Sequence, residues 1–253
     1  MLVAWILSLL NPAPLRLRRR GYVRESGLLH ARARRCRGAW APHLARARAA
    51  VTGAVAACGR RRLAVVLGSG LLDDVPLHAL AAAFDAVHLV DAVHPWPTRI
   101  AVWAHPNVVL ATAEISAGLA DEVLRAACAG ADLVVSANLL SQLPILPVDA
   151  YEARGGEAPP RLGSDIVAAH LAALDAVAAR GARVCLITDT VQREEDRAGR
   201  VTDTLDLLHG VPLPAPAAAW DWEIAPFGEA ARHRRLIHRV HAYPDWGAAR
   251  GQG

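Results

Sequence analysis

Short, continuous apolar runs recur between residues 63 and 243, separated by alanine- and leucine-rich stretches of helical period and by polar turns. Leu63–Leu67 (LAVVL) is the first such run, followed at once by Gly68-Ser69-Gly70. An apolar run of that length between turn signals predicts a strand buried on both faces of a parallel sheet. A helix is predicted next, with Asp73 or Asp74 available as its cap and Pro76 in its first turn, where a missing N–H costs nothing. Residues 87–90 predict a second strand, closed by Asp91. Residues 107–111 (NVVLA) predict a third, with Glu114 in the loop behind it, and 132–137 (DLVVSA) a fourth, leading into Asn138-Leu139-Leu140-Ser141-Gln142-Leu143. Residues 163–180 carry helical periodicity and stop at Gly181. A fifth strand is predicted over 183–188 (RVCLIT), again closed by an acid, Asp189. Finally, 220–224 and 236–243 are β-like runs around a polar segment containing Gly228, which predicts a terminal hairpin. Strands alternating with helices and closing on a hairpin describe one doubly wound α/β domain over residues 63–253.

The first 62 residues have a different pattern. Residues 1–10 are apolar and precede Arg16, Arg18, Arg19 and Arg20. That run is about half the length needed to span a bilayer, and its charges follow it where a secretory signal has them in front. Neither a transmembrane helix nor a signal peptide is expected, which leaves a short helix tucked against the domain or a weak interfacial anchor. Residues 28–58 predict one or two helices broken near Pro42, placed to act as an N-terminal helical extension or lid.

Charge sharpens this division. Residues 1–62 hold 14 Arg and one acid, Glu25, whereas 63–253 hold 14 Arg and 23 acids, so +13 and −9 sum to the net +4. An arginine arm of this kind suits three roles: a cover folded over its own acidic domain with the arginine stems on apolar surface, a nucleic-acid contact, or a contact with an anionic membrane surface through residues 16–62. All 28 basic residues are arginine. The absence of lysine removes Walker-type phosphate loops and Schiff-base chemistry. With 253 residues, 53% of them hydrophobic, one domain plus the extension can bury a sizeable core. The four cysteines, Cys36, Cys58, Cys128 and Cys185, are isolated, as expected for buried thiols in a reducing, cytoplasmic setting. No C-x-x-C or H-E-x-x-H spacing suggests a metal site.

Candidate chemistry centres on the glycine turn. Glycines at 68 and 70 let the backbone turn tightly and approach a ligand. Asp91 lies 21 residues beyond Gly70, and an acid at that separation, on a strand end facing solvent, can accept hydrogen bonds from both ribose hydroxyls of an adenosine-containing cofactor. Position 73, where a dinucleotide fingerprint has its third glycine, is Asp, so the NAD version of the motif is incomplete. A purely structural turn is the alternative use of these residues.

Over roughly residues 63–243 the chain resembles the class I S-adenosylmethionine-dependent methyltransferases. The resemblance implies a mostly parallel seven-stranded sheet of order 3-2-1-4-5-7-6 with only the last strand antiparallel, S-adenosylmethionine as cofactor, and in-line transfer of its methyl group. It also implies roles for Gly68, Ser69 and Gly70 in the glycine loop, Asp91 on the ribose, Glu114 near the adenine and Asn138 after the fourth strand. Two positions depart from the family. Val66 stands two residues before the first glycine, where the family often has an acid, and the segment after strand four reads SANLL instead of the NPPY type. An active methyltransferase, a non-catalytic methyltransferase-like binding protein and an NAD-dependent oxidoreductase are therefore the functions to separate, the terminal hairpin speaking against the last.

Asn138 and His170 are the candidate catalytic residues, and each has an ordinary alternative. Asn138 can bridge backbone groups after its strand, and His170 can pack within its helix. His43, His238 and His241 rank below them. Trp220 and Trp222 alternate with Asp221 and Glu223, so both indoles face one side of a strand. Trp96 borders the adenine side or belongs to a rigid HPWP turn. The acceptor side falls to residues 1–62, 140–162 and 190–218, whose pattern names no acceptor.

Overall fold

The computed structural model describes residues 13–251, so the apolar segment 1–10 lies outside the described residues. Three helices come first, α1 (Leu15–Arg19), α2 (Tyr22–Arg35) and α3 (Arg37–Ala56). The break between α2 and α3 falls at Cys36, not near Pro42, which lies inside α3. Burial explains why α3 tolerates its proline: Trp40, His43, Ala47, Val51, Ala54 and Val55 form a continuous stripe against the sheet, and packing of such a stripe outweighs local propensity.

Then β1 (Leu63–Leu67), α4 (Leu77–Ala83), β2 (Ala86–Asp91), α5 (Trp96–Val102) and β3 (Val108–Thr112) follow, with α6 (Glu122–Ala127) leading to β4 (Leu133–Ala137). Beyond it lie α7 (Ile145–Glu152), α8 (Leu162–Ala178), β5 (Arg183–Asp196), β6 (Val201–Asp206), β7 (Ala218–Ala225), β8 (Arg234–Tyr243) and α9 (Trp246–Arg250). Asp73 and Asp74 do not cap α4. Its N-cap is Pro76, with no side-chain cap bond, and Asp74 is engaged elsewhere, as described below.

The sheet runs β3-β2-β1-β4-β5-β8-β7, with β6 paired to β5 off that path. β1, β2, β3, β4 and β5 pair in parallel, and β8 runs antiparallel to both β5 and β7. With β7 and β8 as the expected sixth and seventh strands, the order is the one predicted. One feature differs. β5 does not stop at Thr188 but continues to Asp196, and its outer half pairs with β6 from Val191 to Glu195. Where β4 ends, β6 takes its place beside β5, so part of the expected loop 190–218 is strand. A bulge between Asp189 and Val191 bends β5 at the changeover.

Alternation along the strands makes two cores. Ala64, Val66, Val87, Leu89, Val135, Ile187, Trp222 and Val240 face α3 and α4, while Val65, Leu67, Val90, Val134, Leu186 and Tyr243 face the side of α6, α8 and α9. The parallel register aligns Leu67 with Val90 on one side and Ser136 on the other. The three segments that follow β1, β2 and β4 therefore emerge side by side at one edge, where open α/β sheets bind ligands. The four cysteines are buried and unpaired.

Candidate functional site

The glycine turn is held from three directions. Gly68 N donates to Val90 O at 2.9 Å, Gly70 N donates to Asp91 Oδ2 at 2.7 Å, and Thr98 Oγ1 donates to Gly70 O at 2.6 Å. Asp91 Oδ1 accepts from Val93 N at 3.2 Å. Burial raises the Asp91 carboxyl above its ordinary value, against the lowering effect of the Gly70 N–H and of His94. Asp91 is thus a brace for the loop and not a free carboxylate facing solvent.

The two glycines serve different ends. A Cβ on Gly68 would lie 2.8 Å from Leu139 Cδ1, so this glycine makes room for the segment after β4. A Cβ on Gly70 would meet nothing nearer than Gly68 O at 3.8 Å, and its φ is +46°. Gly70 is the position that opens onto free space.

Three of the segments that meet at this sheet edge each carry a buried polar atom with no hydrogen-bond partner: Ser69 Oγ after β1, His94 Nδ1 after β2 and Asn138 Oδ1 after β4. Native interiors satisfy most such atoms, so one on each of these three segments points to this edge of the sheet as the place for a polar ligand. Hydroxyl, imidazole and carboxamide groups on these segments suit the polar groups of an adenosyl amino acid. Asn138 adopts a left-handed φ of +51°, which an asparagine tolerates where most side chains do not, and is buried.

Glu114 lies under the N-terminal helices. It pairs with Arg20 and accepts from Tyr22 Oη and Ser116 Oγ, each at 3.2 Å. Burial, ahead of the neighbouring charge, pushes the Tyr22 hydroxyl up to about 12. The junction of α1 and α2 is thereby fastened over the loop behind β3, while Leu17 and Val23 pack on Ala92 and Val93 just past Asp91. His170 lies in the core, 1% exposed, with Nε2 2.9 Å from Ser136 Oγ, and burial lowers its pKa to about 4. The structure groups Gly68, Ser69, Gly70, Asp91 and Asn138 at one edge, sets Glu114 under the arm and places His170 beneath β4.

Two buried networks that the sequence does not announce join that edge. In the first, α3 delivers His43 to Asn138. Trp220 Nε1 donates to His43 Nδ1 at 3.1 Å, His43 Nε2 is 3.1 Å from the Asn138 carboxamide, and that carboxamide donates to Asp74 Oδ2 at 2.6 Å. Burial raises Asp74 to about 6 and lowers His43 to about 4. In the second, Asp189 is 3% exposed and takes Ser141 Oγ and His238 Nδ1, both at 2.5 Å, while His238 Nε2 lies 3.0 Å from Gln192 Oε1. Trp222 connects the two: its ring stacks on His43 at 4.0 Å and meets His238 edge-on at 5.8 Å. The one available clue was local: Asp189 closes a strand, and His238 alternates inward with Val240 and Ala242. Their meeting across 49 residues is a property of the antiparallel hairpin.

The strand order and the reversed β8 decide the architecture. This is the class I methyltransferase fold. No family model matches the chain, and no curated protein does. Similar solved structures include DhpI in complex with SAH, 15% identical, covering 87% of this chain and 95% of that one with a TM-score of 0.38. NodS, an N-methyltransferase of Bradyrhizobium japonicum WM9 in complex with S-adenosyl-L-homocysteine, is 12% identical over 76% of this chain and 83% of its own, with a TM-score of 0.35. The Burkholderia thailandensis 1,6-didemethyltoxoflavin N1-methyltransferase is 13% identical over 77% and 78%, with a TM-score of 0.34. The strand order above stands independently of these likenesses.

Proposed function

We propose that this protein binds S-adenosylmethionine across the ends of β1, β2 and β4 and transfers its methyl group to a small-molecule acceptor admitted on the β4–β5 side. The observation that carries this is the sheet edge itself: a glycine loop braced by Asp91 and open at Gly70, with the unpartnered Ser69 Oγ, His94 Nδ1 and Asn138 Oδ1 on the three segments that leave β1, β2 and β4 there. Ser69 and the loop would face the cofactor's amino-acid end, Asp91 and His94 its ribose and adenine, and Asn138 the side from which the methyl group leaves. When bound, the cofactor would supply an electrophilic sulfonium methyl group. The chain's own residues then have to position the acceptor and keep water out, which is where most of the rate enhancement of such displacements arises.

The arginine arm acts as a cover in this scheme. Arg35 bonds Glu229 at 2.6 Å, Arg62 bonds Asp132 at 2.9 Å, Arg20 pairs with Glu114, and Trp40 Nε1 donates to Ile224 O at 3.0 Å. These contacts tie the basic arm, its helices and the segment that leads into β1, to the acidic domain.

Calorimetric titration with S-adenosylmethionine, its homocysteine product and NAD tests the proposal. Micromolar-range binding of the first two and none of NAD is expected. The second function, a methyltransferase-like protein without catalysis, is favoured by Val66 and by the full engagement of Asp91 with backbone N–H groups. Undetectable binding of either sulfur ligand at millimolar concentration would leave that function in place of the first.

A further inference from the structure

We infer that β3, at the end of the sheet, pairs antiparallel with β3 of a second copy of this chain, joining the two sheets into one across a two-fold axis at Ala111.

The strand's hydrogen bonds show which groups are left over. Along a strand, the backbone N–H and C=O of one residue point to the same side and those of the next residue to the other. Asn107 O accepts from Val87 N at 2.9 Å and Ala113 N donates to Asp91 O at 3.1 Å, so residues 107, 109, 111 and 113 turn their backbone groups to β2. Val108, Leu110 and Thr112 turn theirs outward. Val108 N is taken, donating to His105 O at 3.0 Å in the turn that enters the strand. Leu110 and Thr112 have no backbone partner on that side among the described residues, because the sheet ends there. A row of unpaired N–H and C=O groups is a template for a further strand.

Two other strands also pair on one side only, β6 and β7. Both carry acids, Asp203 and Asp206 on β6 and Asp221 and Glu223 on β7, and charges on an edge strand discourage pairing with another chain. The β3 sequence, VVLAT, has no charge and no proline, keeps a regular register with β2, and leaves Val109 51% exposed. The approach to it is equally apolar: Ile100 and Trp103, at the end of α5, are 55% and 77% exposed. Apolar exposure of this extent marks an interaction surface.

Charge and symmetry name the occupant. In a two-fold contact the same patch meets itself, so a patch rich in one charge repels its own copy. Residues 96–113 hold no acid and one cation, Arg99, whose Nε donates to His94 O at 3.0 Å, although the domain around them holds 23 acids. A charged partner finds little to match there, whereas a second copy meets no repulsion. The free groups also set the register. With the axis at Ala111, Leu110 of each copy lies opposite Thr112 of the other, and four N–H···O bonds form from groups that are all unpaired. An axis at Leu110 would need the N–H of Val108, which is already engaged. Ala111 then faces its counterpart, where the small side chains allow the close approach of a non-bonded antiparallel pair. Because the two strands run in opposite directions, the carboxyl ends of the two sheets face away from each other, and both proposed cofactor edges stay open.

The test uses the full-length protein. Sedimentation velocity and light scattering at micromolar concentrations should give twice the mass of the chain. Val109→Lys, which places a charge on the edge, and Thr112→Pro, which removes an outward N–H and leaves the β2 side intact, should each be monomeric at concentrations where the original is dimeric, with unchanged far-ultraviolet circular dichroism. Ala111→Cys should form a disulfide-linked dimer on mild oxidation, since Cα atoms of a non-bonded antiparallel pair lie about 4.5 Å apart, within disulfide reach; the four native cysteines are buried, and the unmodified protein gives the background. In hydrogen exchange, the Leu110 and Thr112 amides should be protected in the original and exchange rapidly in Val109→Lys. A monomer throughout, a dimer that persists in either folded variant, or an Ala111→Cys protein that does not cross-link would each overturn the pairing. Protected Leu110 and Thr112 amides in a monomer would overturn it too, by assigning the edge to another segment of the same chain.

Discussion

Truncating Asp91 separates its two jobs. In the structure its oxygens accept from Gly70 N at 2.7 Å and Val93 N at 3.2 Å. Hydrogen bonds to a charged group contribute about 1.5–3 kcal/mol each, with water restoring part after truncation. Burial works against the ionised carboxyl here, so Asp91→Ala removes an unfavourable desolvation as well as the two bonds. The net loss of stability should fall at about 1–3 kcal/mol, read from the urea midpoint at constant slope. If Asp91 also accepts the ribose hydroxyls, S-adenosylmethionine and its homocysteine product should bind roughly tenfold to several-hundredfold more weakly, since each 1.4 kcal/mol is about a factor of ten. Calorimetry on the folded variant, well below its unfolding transition, measures this directly. A variant that loses stability but binds the cofactor within about twofold of the original would refute the ribose role and leave Asp91 as a brace alone.

Four other outcomes are expected. Asp74 titrates near 6 in the folded protein against an ordinary 3.8; a raised carboxyl costs stability as pH rises through that interval, so Asp74→Asn should be more stable than the original at pH 8, by at most about 3 kcal/mol, and the difference should vanish by pH 4 in urea titrations. His43 and His170, both lowered to about 4 by burial, contribute stability that is present above pH 6.5 and lost as pH falls toward 4, so the urea midpoint should drop over that range even in Asp74→Asn, and a flat profile there would count against their buried neutral forms. Gly70→Val should abolish cofactor binding measured by calorimetry while leaving a folded protein by circular dichroism, whereas Gly68→Val should unfold it, because its side chain would collide with Leu139. If the arm is a cover and not a phosphate grip, retention on heparin should be weak and should not fall steeply with salt; a slope equal to several counterions would reverse that assignment.

Much of this fold was legible along the chain because burial on both faces leaves a local trace. Five apolar runs, four of them closed by glycine, acid or asparagine, and two alternating runs at the end predict one doubly wound α/β sheet closed by a hairpin, while the strand order came with the resemblance to the class I methyltransferases. The glycine turn and Asp91 could be paired by spacing alone, because one helix of standard length separates them. The extension of β5 into β6 was not legible: residues 191–206 are mostly polar and, apart from the buried Glu195, half or fully exposed, and pair because a long strand continues past the end of β4. Nor could the break at Cys36 be foreseen, since Pro42 is the stronger local signal and the sheet overrides it.

The sequence by itself therefore determined the layered α/β architecture, the glycine loop and the acid at the end of the neighbouring strand, all set within one β-α-β unit, while the use of that acid as a brace for the loop emerged only from the folded structure. Only the tertiary structure decided what stands opposite them. Asn138 meets His43 across 95 residues and Asp189 meets His238 across 49, and no periodicity encodes such meetings. They follow from α3 folding back over the sheet and from the antiparallel return of β8, whose bulged register turns an acid, a histidine and a glutamine toward one another.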